Sequence, residues 1–124
     1  MGKYSSLIPV LNAVTATTTS SAFSIEGAKK VILVYQRSVH GSGRTVFSAT
    51  VSVDGVNYIT YAKWITNTAN AIAEGEVRVA SVDTGTANVT GFLTMSPEDG
   101  FLDIKVTATE TTDGTHSAWL YLEY

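Results

Sequence analysis

The stretch Gly-Arg-Thr-Val-Phe-Ser-Ala-Thr-Val-Ser-Val-Asp-Gly-Val-Asn-Tyr-Ile-Thr-Tyr, from Gly43 to Tyr61, decides the fold class. Thr45, Phe47, Ala49, Val51 and Val53 alternate with Val46, Ser48, Thr50 and Ser52. A period of two sends one set to a buried face and the other to water or to a partner. Asp54-Gly55 then offers the positive φ angles of a tight turn, and Tyr58 to Tyr61 reads as the returning strand. The expectation is an antiparallel β hairpin.

Other strand candidates follow at intervals of about ten residues, the rhythm of a sandwich or barrel. Leu7 to Thr15 is the first, interrupted by Pro9. Thr17 to Ser21 reads as a polar linker or an edge strand, and Ala22 to Glu26 as a short strand ended by Gly27. Lys29 to Val39 is apolar on both sides, with Val31, Leu33 and Tyr35 opposite Ile32 and Val34. That pattern marks a central strand or one covered by another subunit. Lys63 to Ile65 continues the returning strand or bends away from it, and Thr66 to Glu74 carries no pattern. Glu76 to Val82, Val89 to Met95, Phe101 to Glu110 and Ser117 to Glu123 alternate again. The sum is an all-β, antiparallel two-sheet sandwich of eight or nine strands, jelly-roll-like. Residues 1–21 read as an N-terminal arm and linker, and residues 22–124 as the sandwich domain.

Composition narrows the chemistry. The 124 residues suit one domain, and a chain of this size buries roughly two-thirds of its unfolded surface. There is no Cys, which excludes disulfides, thiolate catalysis and thiolate metal sites. A formal net charge of −3 argues against nucleic acid, because phosphate binding wants a basic surface. Only 15% of residues are charged, against a usual ~25%, and Thr and Ser fill the outer faces instead. Such a surface suits permanent contact with other subunits. No apolar run approaches the ~20 residues of a membrane span. Lys3 with Leu7 to Val14 imitates a signal peptide, but Pro9 and Asn12 interrupt it. Met1-Gly2 with Ser6 fits a myristoylation template. The reading preferred over both is an ordered arm from Gly2 to Leu11 that packs on its own domain or on a neighbour.

Catalytic and metal signals are weak. His40 and His116 sit beside Gly-rich turns with no Cys, second His or paired carboxylate at ligand spacing, and read as solvated turn residues. Asp54, Asp99 and Asp113 each stand alone before Gly, which is turn chemistry rather than a calcium loop. Gly41-Ser42-Gly43-Arg44 lacks the ending of a phosphate loop, and no Gly-x-Ser-x-Gly elbow exists. Asn88-Val89-Thr90 is a lone sequon. No enzyme is read here, and no cofactor or metal site.

The aromatic residues say more. Trp and Tyr join a large apolar area to a polar tip, as interface anchors and sugar platforms require. Trp64 reads as core. If Leu120 and Leu122 face the core, the pleat puts Trp119 and Tyr121 outside, as interface residues. Tyr4, Leu7, Ile8 and Leu11 are the candidate contacts of the arm. For a carbohydrate-binding module, the alternative reading, the candidates are Tyr58, Trp64 and Trp119.

Ser52-Val53-Asp54-Gly55-Val56-Asn57-Tyr58, preceded by its alternating strand, resembles the Ser-Leu-Asp-Gly-Thr-Asn-Trp hairpin of small β-sandwich modules in tailed-phage virion proteins. Phe101 to Ala108, with Asp113-Gly114-Thr115 and the closing strand, resembles the matching second hairpin of those modules. The resemblance spans roughly Ile25 to Leu122; discoidin-like sugar-binding domains share the first hairpin, and Tyr58 stands where Trp is common. It implies a virion structural protein of capsid decoration (cement) or head-fibre type, located on the capsid surface. The implied partners are the major capsid protein and copies of the chain itself, often as a homo-trimer, with no nucleic acid and no membrane. A tail accessory protein is also implied, and the alternative reading is a carbohydrate-binding β-sandwich module in a tail or host-attachment role.

Overall fold

A computed structural model of the chain describes residues 5, 7–38, 43–61, 64–68, 78–79, 81–84, 88–95 and 100–124. For residues 43, 64–68, 78–79, 81–82 and 112 the description is of the backbone path. Two long strand pairs form the frame. β4 (Lys30–Ser38) pairs with β12 (Thr115–Glu123) from Lys30 opposite Glu123 to Ser38 opposite Thr115, without a register shift. β5 (Gly43–Ser52) pairs with β11 (Asp103–Thr112) from Gly43 opposite Thr112 to Ser52 opposite Asp103, also without a shift. β4 leads toward β5, and β11 toward β12. The four strands are therefore one antiparallel ribbon folded over on itself, half in each sheet, the rolled arrangement of a jelly roll.

The other elements dress this ribbon. β1 (Ile8–Val14) lies beside β12; β10 (Val89–Met95), β7 (Trp64–Thr68) and β8 (Arg78–Val79) extend beyond β4. Together they make a first sheet in the order β1-β12-β4-β10-β7-β8. The second sheet holds β2 (Thr18–Thr19) and β3 (Phe23–Ser24) on β11, and β6 (Ile59–Thr60) and β9 (Ser81–Asp83) on β5. Every pairing is antiparallel, and the described residues contain no helix. The all-β two-sheet sandwich expected from the alternation is the fold.

The core follows from the pleat. β4 turns Val31, Leu33 and Tyr35 inward, β5 Phe47, Ala49 and Val51, β11 Ile104, Val106 and Ala108, and β12 Ala118, Leu120 and Leu122, all buried. β10 adds Leu93 and Met95. Each large aliphatic or aromatic side chain of this set contributes about 1.5–3 kcal/mol by leaving water. Tyr35 packs on Phe47 with ring centroids 5.1 Å apart, and Tyr61 meets Phe101 edge-on at 5.8 Å.

Three expectations need correction. The boundary after residue 21 is not a domain boundary. β1 and β2 are strands of the two sheets, Leu11 lies in the core, and Ser5 both donates to and accepts from the Leu122 backbone at 2.9 Å. An apolar segment next to the exposed side of β12 satisfies its backbone by pairing there, so the described residues of the expected arm pack on the chain's own sandwich. Second, Asp113-Gly114 is a corner and not a hairpin turn, because β11 and β12 belong to different sheets. Third, the Asp54-Gly55 hairpin exists, but its return is only β6, with Thr50 opposite Thr60 and Val51 opposite Ile59. Gly55 has φ +77°, whereas Asp54 does not adopt a positive φ, so the two-residue turn is replaced by a longer loop. After Tyr61 the chain leaves for the first sheet, where Trp64–Thr68 pairs with β10. His40 and Asp99 lie outside the described residues.

Candidate functional site

The outer face of the first sheet collects the large side chains that the pleat excludes from the core. Trp119 sits opposite Val34 on one side and Pro9 on the other, and Val34 sits opposite Phe92. One pleat further along, Tyr121 sits opposite Ile32, and Ile32 opposite Thr94. Two adjacent cross-strand rows thus present Pro9, Trp119, Val34 and Phe92, then Tyr121, Ile32 and Thr94. Phe92 is 38% exposed, and Trp119, Val34, Tyr121 and Ile32 are half-buried. The next row is polar, with Gln36 Nε2 donating to Thr90 Oγ1 at 3.3 Å. At the other border Lys30 Nζ lies 3.7 Å from Glu123 Oε2.

The outer face of the second sheet is of different character. Thr50, Thr107, Thr109, Thr111 and Ser48 point outward there, and Thr19 and Thr107 share a hydroxyl hydrogen bond of 2.9 Å. One side of the sandwich is therefore aromatic and the other hydroxylic. Aromatic rings on a pleated face bury much area at little rotamer cost when something covers them.

The sequence-proposed contacts divide accordingly. Trp119 and Tyr121 do lie on the outer face, with Leu120 and Leu122 inward. Leu11 is only 3% exposed and packs in its own core; Ile8 sits opposite Leu120 and packs against that core too. Leu11 is closed to a neighbour, whereas Ile8 is half-buried. Leu7 is exposed, and Tyr4 lies outside the described residues. The sequence reading missed Val34, Ile32 and Phe92, although the two apolar faces of 29–39 were their signal. The strand edge is a poor contact by comparison. β1 carries Pro9, two register shifts and Ala13 at φ 51°, whose N–H donates to Ser117 Oγ at 3.0 Å. Pro and bulges blunt an edge against strand addition.

The sugar-binding candidates do not converge. Trp119 lies on the outer face of the first sheet, whereas Tyr58 belongs to the loop at the end of the second. Lys105 Nζ stands 4.1 Å from the centre of the Tyr58 ring, and burial together with the Asp103 carboxylate raises the Tyr58 hydroxyl pKa. Trp64 is in β7, and its side chain lies outside the description.

The loop from Val53 to Tyr58 is held from within. Asp54 Oδ1 accepts from the backbone N–H of Val56 and of Asn57, each at 2.8 Å, and Asp54 Oδ2 accepts from Asn57 Nδ2 at 2.7 Å. Ser52 Oγ donates to Asp54 Oδ1 at 2.8 Å and accepts from the N–H of Gly55 at 2.9 Å. These donors, the Asn57 and Val56 N–H groups foremost, hold the Asp54 carboxyl far below its ordinary range. Val53, Val56 and Ile59 are left pointing into solvent at 58, 77 and 61% exposure.

His116 overturns its expected place in a solvated turn. It is fully buried, because β12 starts at Thr115 and turns it inward opposite Arg37. Its Nδ1 lies 2.8 Å from Thr45 Oγ1 and its Nε2 3.2 Å from Glu110 Oε1. The order hydroxyl, imidazole, carboxylate is that of an activated nucleophile. Thr45 and His116 are each 0% exposed, so the hydroxyl is closed to a substrate and the network ties β5, β11 and β12 at the corner. Arg37 Nη2 joins it there, donating to Asp113 O at 3.1 Å and to Asp113 Oδ1 at 3.2 Å. Among the described residues, no three His, Asp or Glu gather at metal-binding distance.

No family model matches the chain, and no curated protein matches its sequence. In three dimensions it is similar to the crystal structure of the SPBc2 prophage-derived protein YomS. The TM-score is 0.68 over 100% of this chain and 96% of that one, at 8% sequence identity. At that identity the likeness is one of fold, and it extends across both chains.

Proposed function

We propose that the chain is a structural protein of a bacteriophage particle, a capsid decoration subunit that works by burying sheet surface against other subunits. The observation that carries this reading is the aromatic outer face of the first sheet, built from Trp119, Val34, Phe92, Tyr121 and Ile32. Two further observations support it. A prophage-derived protein shares the whole fold, and the loop Ser52 to Tyr58 resembles the hairpin of virion β-sandwich modules. A standard interface of about 1,600 Å² gives useful affinity. Several copies gripping one lattice multiply that affinity without any new contact.

Co-sedimentation with particles tests it. Purified protein is mixed with particles of the phage that encodes it, assembled without it. Saturable binding, weakened by Phe92→Ser with the β circular-dichroism spectrum unchanged, is the expected result. A protein that stays in the supernatant at every concentration overturns the reading.

A further inference from the structure

Two Asp-Gly dipeptides lie among the described residues, Asp54-Gly55 and Asp113-Gly114. In such a pair the glycine nitrogen can close on the aspartate side chain, because a residue without a β-carbon leaves the approach open. The fold treats the two pairs in opposite ways. At Asp54-Gly55 both reacting groups are engaged. The Gly55 N–H donates to Ser52 Oγ at 2.9 Å, and the Asp54 carboxylate accepts from Val56, Asn57 and Ser52. Those donors hold it ionised, and an ionised carboxylate is a poor electrophile.

At Asp113-Gly114 the Gly114 N–H meets no acceptor among the described residues, and the Asp113 side chain is 40% exposed. Arg37 Nη2 lies 3.1 Å from Asp113 O and 3.2 Å from Asp113 Oδ1, so one guanidinium nitrogen bridges the peptide carbonyl and the carboxyl group. Donation to the carbonyl makes the Gly114 N–H more acidic, and donation to the carboxyl makes Asp113 Cγ more electrophilic. The Arg37 side chain is wholly buried, so it is fixed beside the atoms where charge develops.

We propose that the Asp113-Gly114 corner is a self-modification site, at which Gly114 N closes on Asp113 Cγ and the chain converts to isoaspartate, with Arg37 as the activating group. Ring closure forms the N–Cγ bond and breaks one Cγ–O bond. The oxygen leaves as water, carrying the Gly114 amide proton and the proton of the carboxylic acid form. Solvent water then opens the ring. Attack at Cγ restores aspartate, whereas attack at the former peptide carbonyl leaves the main chain running through Cβ and Cγ. The product has one more backbone atom where the ribbon folds over, and the carboxylate that Arg37 holds is displaced.

Incubation of the full chain at neutral pH in heavy-oxygen water, native and in urea, tests this by peptide mapping of label and isoaspartate at residues 54 and 113. In the native chain residue 113 is expected to convert at least about tenfold faster than residue 54, the ratio that one hydrogen bond's worth of barrier supplies. In urea the two are expected to convert at similar rates, with residue 113 slower than in the native chain. Arg37→Lys keeps the charge but not the bridge, and is expected to slow residue 113 to its urea rate. Similar native rates at the two sites overturn the proposal, as does a native rate at residue 113 below its rate in urea. A folded Arg37→Lys that converts like the wild type overturns the activating role of Arg37. Should that variant fail to fold, the native and urea rates of the wild type decide alone.

Discussion

Gly91 lies directly under the ring of Tyr35. The two are cross-strand partners in β10 and β4, and a β-carbon on residue 91 would come within 2.6 Å of Tyr35 Cζ. Tyr35 is fully buried and stacks on Phe47, so it has no room to retreat. Gly91→Ala is therefore expected to destabilise the fold by about 1–3 kcal/mol through overpacking. A lower urea midpoint with an unchanged m-value would show it; an unchanged midpoint would mean that the ring relaxes freely.

Leu11 and Leu7 differ in burial, and that difference separates strand from arm. Leu11 is 3% exposed and Leu7 49%. Leu11→Ala is expected to cost about 2–5 kcal/mol by leaving a cavity, whereas Leu7→Ala stays within about 0.5 kcal/mol. Thermal unfolding of the two variants checks this. Equal, small shifts would restore an independent arm.

The Thr45–His116 hydrogen bond gives a third expectation. Thr45→Val keeps the volume but leaves His116 Nδ1 buried without its 2.8 Å partner. An unsatisfied buried polar atom costs about 1–3 kcal/mol. Denaturant melts of the variant should show a loss of that size. A stability equal to the wild type would mean that the corner does not depend on the network.

Asp54 sets a pH expectation. Its folded pKa is depressed by N–H groups that bond the charged carboxylate, so the stability it adds is fully present above the ordinary value of 3.8. That contribution is lost only as the pH falls through the lower folded value. The amide resonances of Val56 and Asn57 should therefore hold their positions through pH 3.8 and move in stronger acid. A titration centred on 3.8 would contradict the hydrogen bonding described for the loop.

Gly114 is the hinge point of the folded ribbon. It has φ +127°, and a β-carbon there would meet Arg37 Nε at 2.9 Å and His116 Cε1 at 3.0 Å. Gly114→Ala combines a left-handed backbone, costing about 1–2 kcal/mol, with a clash against two buried side chains. It should lower the melting temperature more than Gly55→Ala, whose nearest new contact is 3.4 Å. The reverse order would place the strain in the loop.

The fold was legible wherever burial enforces a period of two. Val89 to Met95 matches β10 at both ends, and the alternating runs 29–39 and 45–53 locate β4 and β5 with ends one or two residues off. What the alternation cannot carry is which sheet a strand joins. Asp54-Gly55 and Asp113-Gly114 are the same dipeptide, yet one heads a loop within a sheet and the other a corner between sheets. That choice is made by the long-range registers of β5 with β11 and β4 with β12. His116 escaped for the same reason: beside Gly114 it reads as a turn residue, and only strand pairing with Arg37 turns it inward. Trp119 and Tyr121 were legible because Leu120 and Leu122 fixed the parity of their strand. The rest of the aromatic face was assembled from three strands far apart in sequence, which no local pattern displays.

A density map of the particle that carries this chain, with the sandwich fitted into it, tests the central claim most directly. The account predicts Trp119, Val34 and Phe92 buried against another protein subunit, with the threonine face of the second sheet in water. A particle without the chain, or one in which those three side chains face solvent, would contradict it.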